Sequence, residues 1–338
     1  MEKVKIGLLG CGRIGKLHGT NLVQSIPQAE LVAVADPFLN DGIKEWAAGL
    51  GITKVYDDVN KVIEDPEIDA VMICSATPTH LDLIKAAAAQ GKHIFCEKPL
   101  HTDVKLIKEC IKICEDAGVK LQVGFVRRFD HNHSKVQQTV ASGKIGTPSI
   151  VKISSRDPED PPMEYVKVSG GIHVDMTIHD FDMARFLSGS DAVEVYAIGM
   201  CVNPEFAKYD DVDNTIITIK FANGALGVID NTRSSCYGYD QRTEVQCSKG
   251  CVQVTNDLEN TAMISCEAGV EVAKPTFFFL ERYNGAFIEE VTQFCKAIKG
   301  EQEVPVGGYD GLQPVLMAKA AKLSLKEGRP VKISEVDE

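Results

Sequence analysis

The stretch Val4-Lys5-Ile6-Gly7-Leu8-Leu9-Gly10-Cys11-Gly12-Arg13-Ile14-Gly15 decides the fold. Val4–Leu9 is a short, nearly continuous apolar run, the mark of a strand covered on both faces. A Gly-x-Gly-x-x-Gly follows directly, and a helical pattern continues from Arg13 to about Ser25. In that strand–turn–helix setting each glycine has a task. Gly10 permits the tight turn, Gly12 lets backbone approach a pyrophosphate, and Gly15 lets helix and strand pack closely. The helix N-terminus then offers free N–H groups and a positive dipole end to phosphates. Asp36 lies 21 residues beyond Gly15, at the end of a second strand, Leu31–Ala35. A carboxylate there accepts both ribose hydroxyls of NAD and repels a 2′-phosphate. Val34-Ala35-Asp36-Pro37 has no basic residue to receive such a phosphate, so NAD is expected over NADP.

Outward from this stretch, strand and helix signals alternate. Strands are expected near Val55 and over Ala70–Cys74, His93–Cys96 and Lys120–Gly124. Helices are expected over Asp41–Leu50, Val59–Glu64, Thr79–Gln90 and Asp103–Ala117. Apolar strands alternating with helices imply a doubly wound parallel sheet, a Rossmann-type α/β domain over residues 1–124. The pattern then changes. After a helix around Ser134–Ser142, period-two strands run over Ser149–Ser155, Val193–Met200, Asn214–Phe221 and Ala225–Asn231. Shorter strand signals follow at Thr243–Cys247, Cys251–Thr255 and Thr261–Ser265, and Phe221-Ala-Asn-Gly-Ala225 reads as a hairpin turn. One helix, Asp175–Leu187, falls between strands, and helices over Ala286–Lys299 and Leu312–Lys326 end the chain. Residues 125–338 are therefore expected to form a second α/β domain on a large, open, mostly antiparallel sheet. Ile217 and Ile219 are expected on its open face.

The chain has 338 residues, suited to two domains, with 44% hydrophobic and 25% charged residues. Its 36 Lys and Arg against 48 Asp and Glu give a net charge of −12, which repels nucleic-acid backbones and anionic lipid. No apolar run reaches the length of a membrane span, and the N-terminus enters a strand at once, which leaves no room for a signal peptide. Eleven cysteines, several inside apolar runs as at Cys74, Cys96 and Cys295, read as buried thiols of a reducing compartment. The pairs Cys110/Cys114 and Cys247/Cys251 lack zinc-site spacing, so no metal is expected. A cytoplasmic location follows from these readings.

Three further stretches carry polar chemistry. Glu97-Lys98-Pro99 follows a strand, and Arg127-Arg128-Phe129 follows another, so both lie at the sheet's carboxyl edge, where doubly wound folds bind ligands. Gly170-Gly171-Ile172-His173-Val174-Asp175-Met176-Thr177-Ile178-His179 sets Asp175 and His179 four apart, on one face of a helix that Asp182 extends. No third ligand stands at metal spacing, which favours acid–base use of the pair.

The combination of Gly-x-Gly-x-x-Gly, Glu-Lys-Pro and Gly-Gly-x-x-x-Asp-x-x-x-His resembles the glucose–fructose oxidoreductase/inositol dehydrogenase/rhizopine catabolism family. The resemblance covers essentially the whole chain. Ser154-Ser155-Arg156-Asp157-Pro158, Tyr165–Gly171 and Asp175–Arg185 are similar to the inositol 2-dehydrogenases within it. It implies NAD-dependent oxidation of a cyclic polyol, with myo-inositol going to the 2-keto product. Scyllo-inositol or another sugar is the alternative substrate, and a non-catalytic cofactor-binding regulator the alternative of another class. The resemblance implies Lys98, Asp175 and His179 as the catalytic group. His179 suits the base, Lys98 stabilises developing alkoxide charge, and Asp175 orients substrate or lysine. Cofactor contacts are expected at Gly10, Gly12, Arg13, Ile14, Gly15, Asp36, Thr77, His80, Glu97 and Lys98. Arg128, Asp157 and Tyr283 are expected to join the catalytic group in holding the polyol. The open sheet face implies a homo-oligomer, taken as a tetramer.

Overall fold

The structure, a computed structural model, describes residues 3–337. It divides into two compact units, Met1–Val126 with Ala286–Leu312, and Arg127–Gly285 with Gln313–Glu338.

The first unit holds strands β1 (Val4–Leu9), β2 (Ala29–Ala35), β3 (Lys54–Tyr56), β4 (Ala70–Ile73), β5 (His93–Glu97) and β6 (Leu121–Gly124). They form one sheet in the order β3-β2-β1-β4-β5-β6, every pair parallel. Between them run α1 (Arg13–Gln24), α2 (Asp41–Gly49), α3 (Asn60–Ile63), α4 (His80–Ala89) and α5 (Val104–Ala117). This is the doubly wound order with its switch point between β1 and β4. Asp103 caps α5, accepting from the N–H groups of Lys105 and Leu106, and left-handed Gly118 ends it.

The second unit begins with α6 (His131–Ala141), β7 (Pro148–Arg156), α7 (Met163–Ser169), α8 (Ile172–Asp175) and α9 (Ile178–Ser188). Strands β8 (Ala192–Met200), β9 (Asn214–Phe221), β10 (Leu226–Thr232), β11 (Asp240–Cys247), β12 (Gly250–Val254), β13 (Met263–Cys266) and β14 (Gly269–Val272) follow. The chain ends through α10 (Phe279–Arg282), α11 (Asn284–Ile298), α12 (Gly308–Glu327) and β15 (Val331–Lys332). The large sheet has the order β12-β11-β7-β10-β9-β8-β15. Only the β7/β10 pair is parallel, which makes it mostly antiparallel, as expected. The exposed β13–β14 hairpin is separate. Helix α9 lies on β7, covering one face.

Three expectations need correction. Ala286–Leu312 groups with the first unit and not with residues 125–338, because α11 lays Val291, Phe294 and Cys295 into the core formed by Ile6, Leu8, Met72 and Phe95. The single helix Asp175–Leu187 is two helices, α8 and α9, with Met176 and Thr177 between them. Ile217 and Ile219 point inward, 0% and 2% exposed, while Ile216, Thr218 and Lys220 face out. Strand side chains alternate, so reading the phase one residue off inverts the whole face. Helix α7 and strand β14 were not anticipated.

Candidate active site

The first unit brings its predicted residues to the carboxyl end of its sheet. Gly10 has φ +94°, and a Cβ there would lie 2.7 Å from the Ser75 nitrogen. A Cβ on Gly15 would come within 1.9 Å of the Gly10 carbonyl oxygen, so only glycine lets α1 approach β1 this closely. Gly12 is different: a Cβ there meets nothing within 4 Å. It caps α1 without a side-chain bond, which leaves the first N–H groups of the helix open to an anion. The space at Gly12 is the cradle a pyrophosphate needs, so the loop fits a dinucleotide. Arg13 is exposed and Ile14 half-buried on the first turn of α1.

Asp36 leans from the end of β2 toward this loop. Its two oxygens accept from the N–H groups of Cys11, at 2.7 Å, and Phe38, at 2.8 Å. Each keeps a second lone pair, so the carboxylate is fixed in place and still able to accept ribose hydroxyls. Thr77 sits in a short turn after β4 (Thr77–Thr79). His80, expected to touch cofactor, is buried and bridges two loops, reaching the carbonyl oxygens of Pro99 at 2.9 Å and Ser75 at 3.1 Å. Burial holds its pKa below the ordinary value. It braces the walls of the site. Glu97 ends β5, and half-buried Lys98 follows it through a cis bond to Pro99.

The second unit holds Asp175 and His179. Both are half-buried, Asp175 at the end of α8 and His179 in the first turn of α9. The N–H groups of Thr177 and His179 reach back to the carbonyls of Ile172, at 2.9 Å, and Met176, at 3.3 Å, and tie the two helices together. Two residues that the motifs did not single out grip Asp175. The Tyr165 hydroxyl donates to Oδ1 at 2.6 Å, and Arg233 Nη1 donates to Oδ2 at 3.0 Å. Arg233 is almost fully buried and stacks 5.8 Å from the Phe206 ring. They lie 10 and 58 positions from Asp175, and only the fold brings Arg233 near it.

Asp157 follows β7. Burial pushes its carboxyl up to about 6, with Asp175 and Asp180 adding to the effect and Arg233 and Arg127 opposing it. It therefore shares the surroundings of Asp175. Arg128, expected to bind polyol, gives Nε and Nη2 to Asp182 at 2.5–3.0 Å and stacks on Phe186. Asp182, expected to extend the catalytic face, is buried in that pair. Neighbouring Arg127 is likewise paired with Asp180, at 2.6 Å, and donates to Tyr239 and Ser155. Tyr283 is buried, and its hydroxyl has no hydrogen-bond partner among the described residues. Burial pushes that hydroxyl up to about 12, so it remains an O–H donor at neutral pH.

Two family models match the chain: the oxidoreductase family with an NAD-binding Rossmann fold over residues 4–125, and the GFO/IDH/MocA C-terminal domain over 133–253. Among similar proteins, the myo-inositol 2-dehydrogenase of Thermotoga maritima is 45% identical over 334 residues, covering 98% of this chain and 99% of the relative. A solved myo-inositol dehydrogenase from Corynebacterium glutamicum superposes with a TM-score of 0.92 at 38% identity, covering 98% of each chain. The scyllo-inositol dehydrogenase of Lactobacillus casei, solved with NAD(H) and scyllo-inositol bound, gives 0.91 at 30% identity, covering 98% of this chain and all of that one. With an NAD-binding first unit whose glycine loop and Asp36 fit the dinucleotide, the chain belongs to the GFO/IDH/MocA family of NAD-dependent oxidoreductases.

Proposed function

We propose that this enzyme oxidises myo-inositol at a ring hydroxyl to the 2-keto product, with NAD as hydride acceptor. The observation that carries the reading is the presence of Lys98, Asp175 and His179 together, in a chain 45% identical along its length to a myo-inositol 2-dehydrogenase. NAD, held by the Gly10–Gly15 loop and Asp36, would supply the hydride acceptor when bound. The chain supplies the rest. His179 takes the hydroxyl proton as general base. The Lys98 ammonium stabilises the charge that develops on the same oxygen. Asp175, held by Tyr165 and Arg233, accepts from a polyol hydroxyl and so fixes the orientation of the substrate. Asp157, Tyr283 and Arg128, the last held by Asp182, offer further polar contacts to the polyol.

A scyllo-inositol substrate is the second reading, favoured by the likeness to the Lactobacillus casei enzyme. NAD reduction across myo-inositol, scyllo-inositol, glucose and xylose separates the two. We expect the highest kcat/KM with myo-inositol, and a preference of tenfold or so for scyllo-inositol would transfer the assignment. A regulator without catalysis would reduce NAD with none of them.

The enzyme is proposed to act in the cytoplasm, a reading supported by eleven cysteines that are all free thiols. No described helix is long and apolar enough to cross a membrane. It is further proposed to be a homotetramer built through the open face of the large sheet. There Ile216 lies opposite Ile198, and Leu226 opposite Ile150, all four about half exposed. An apolar patch of that kind usually marks an interface.

A further inference from the structure

Under the carboxyl end of the first unit's sheet lies an ionisable group that the proposed reaction does not use. It consists of His18 on α1, Glu97 at the end of β5 and Glu290 on α11. His18 Nε2 stands 2.8 Å from Glu97 Oε1 and 3.8 Å from Glu290 Oε1. His18 and Glu290 have no exposed surface, while the Glu97 side chain keeps 12% of its surface open. The Phe95 and Phe287 rings wall in the imidazole, each at 5.4 Å. Gln122 anchors the α11 backbone by donating to the Glu290 main-chain oxygen at 2.8 Å. The sheet itself is shaped around Glu97. Its neighbour across β5 and β6 is Gly124, where a Cβ would lie 2.9 Å from Glu97 Oε2.

The ligand-capable atoms of the three side chains lie within 4.8 Å of one another. Two carboxylates that close in an apolar core do not both ionise. Burial first, and the charge of Glu97 second, raise Glu290 well above the ordinary range. Glu290 therefore keeps its proton, and Glu97 is the member of the group nearest the surface. His18 Nε2 and Glu97 Oε1 share a hydrogen bond across the 2.8 Å between them. The buried Cys74 thiol from the end of β4 faces the same group and stays protonated, raised by burial and by Glu97. Among the described residues, neither oxygen of the Glu290 carboxyl has a hydrogen-bond partner. A carboxylate would pay heavily for that isolation, and a neutral acid much less.

We propose that His18 is a positioning residue that fixes the Glu97 carboxyl group at the carboxyl end of β5, and so presets the surface receiving the nicotinamide half of NAD. The adenosine half belongs to the Gly10–Gly15 loop and Asp36 at β1 and β2. In this strand order a dinucleotide spans the switch point, which leaves β4 and β5 to its other half. Glu97 is the open member of the group at that place. His18, fully buried beneath it, gives it direction.

Binding of NADH and of ADP, measured by fluorescence and calorimetry, tests this whatever alcohol the enzyme oxidises. His18→Phe keeps the ring packing and removes the donor; it should raise the Kd of NADH by about tenfold and leave that of ADP unchanged, since ADP lacks the nicotinamide. His18→Gln, which restores an N–H near the same place, should recover most of the affinity. Glu290→Gln mimics the protonated acid, so its NADH affinity should stay within about twofold of the parent from pH 6 to 9. Equal losses for NADH and ADP in His18→Phe would reduce His18 to general packing and overturn the proposal. So would an unchanged NADH affinity, or a tenfold loss in Glu290→Gln. A stoichiometric metal ion in the parent that Glu290→Gln lacks would make the group a metal site instead. Should His18→Phe not fold, His18→Leu, which also removes the hydrogen-bonding nitrogen, takes its place with the same expected loss for NADH and not for ADP.

Discussion

Asp157 and His179 are two groups able to shape activity on the acid side of neutrality, and they act in distinguishable ways. Asp157 binds its proton more tightly folded, at about 6, than a free aspartate does near 3.8. The folded state therefore holds more protons between those values, and rising pH through that window costs stability. The loss is complete above about pH 6 and amounts to at most about 3 kcal/mol. Asp157→Asn should abolish this slope and be relatively more stable at pH 7 than at pH 4, as read by thermal melts. The acid limb of kcat/KM should survive in Asp157→Asn and vanish in His179→Ala, which should also lose about 10²–10⁴ in kcat. A limb lost in Asp157→Asn and kept in His179→Ala would make Asp157 the base. Lys98, Asp175 and His179 were legible as candidates because each stands in a motif with a defined spacing. Arg233 was not, since a buried arginine after a strand looks in sequence like any loop cation, and Tyr165 stood in the Tyr165–Gly171 stretch without an assigned role. The pairing of Arg128 with Asp182 was hidden for the same reason, since the two lie 54 residues apart.

At the scale of elements, the strand–turn–helix at the N-terminus was readable almost residue by residue, because glycine spacing and apolar continuity are local. Its two glycines predict opposite phenotypes. Gly12→Ala has open space and φ −70°, so folding stability should change by less than about 1 kcal/mol while NAD affinity falls, because the methyl fills the pyrophosphate cradle. Gly15→Ala drives its methyl into the Gly10 carbonyl and should cost more than about 2 kcal/mol whether or not NAD is present. Chemical denaturation and NAD titration of both variants check the pair, and equal stability losses would contradict it. The phase of β9 was not readable, because Ile216, Ile217 and Ile219 are all apolar and alternation alone does not say which face is covered. The break between α8 and α9 was hidden too. Nothing in Met176-Thr177 forbids helix, and Thr177 leaves the pattern to donate from Oγ1 to Asn231 at 2.6 Å, a tertiary contact.

For the whole molecule, the division between a parallel and a mostly antiparallel sheet was legible from strand patterning. The return of α11 to the first unit was not, because an amphipathic helix does not name the core it will join. The open sheet face makes assembly testable. Ile216→Lys combined with Ile198→Glu should leave the subunit folded and lower the mass seen by light scattering from that of a tetramer toward smaller species. An unchanged mass would place the interface elsewhere. The central claim is hydride transfer from an inositol carbon to NAD, and isotopic labelling tests it most directly. With myo-inositol deuterated at the oxidised carbon, the NADH formed should carry one deuterium, and unlabelled substrate in heavy water should give NADH with none. Unlabelled NADH from the labelled inositol, or no NADH from any inositol, would contradict the account.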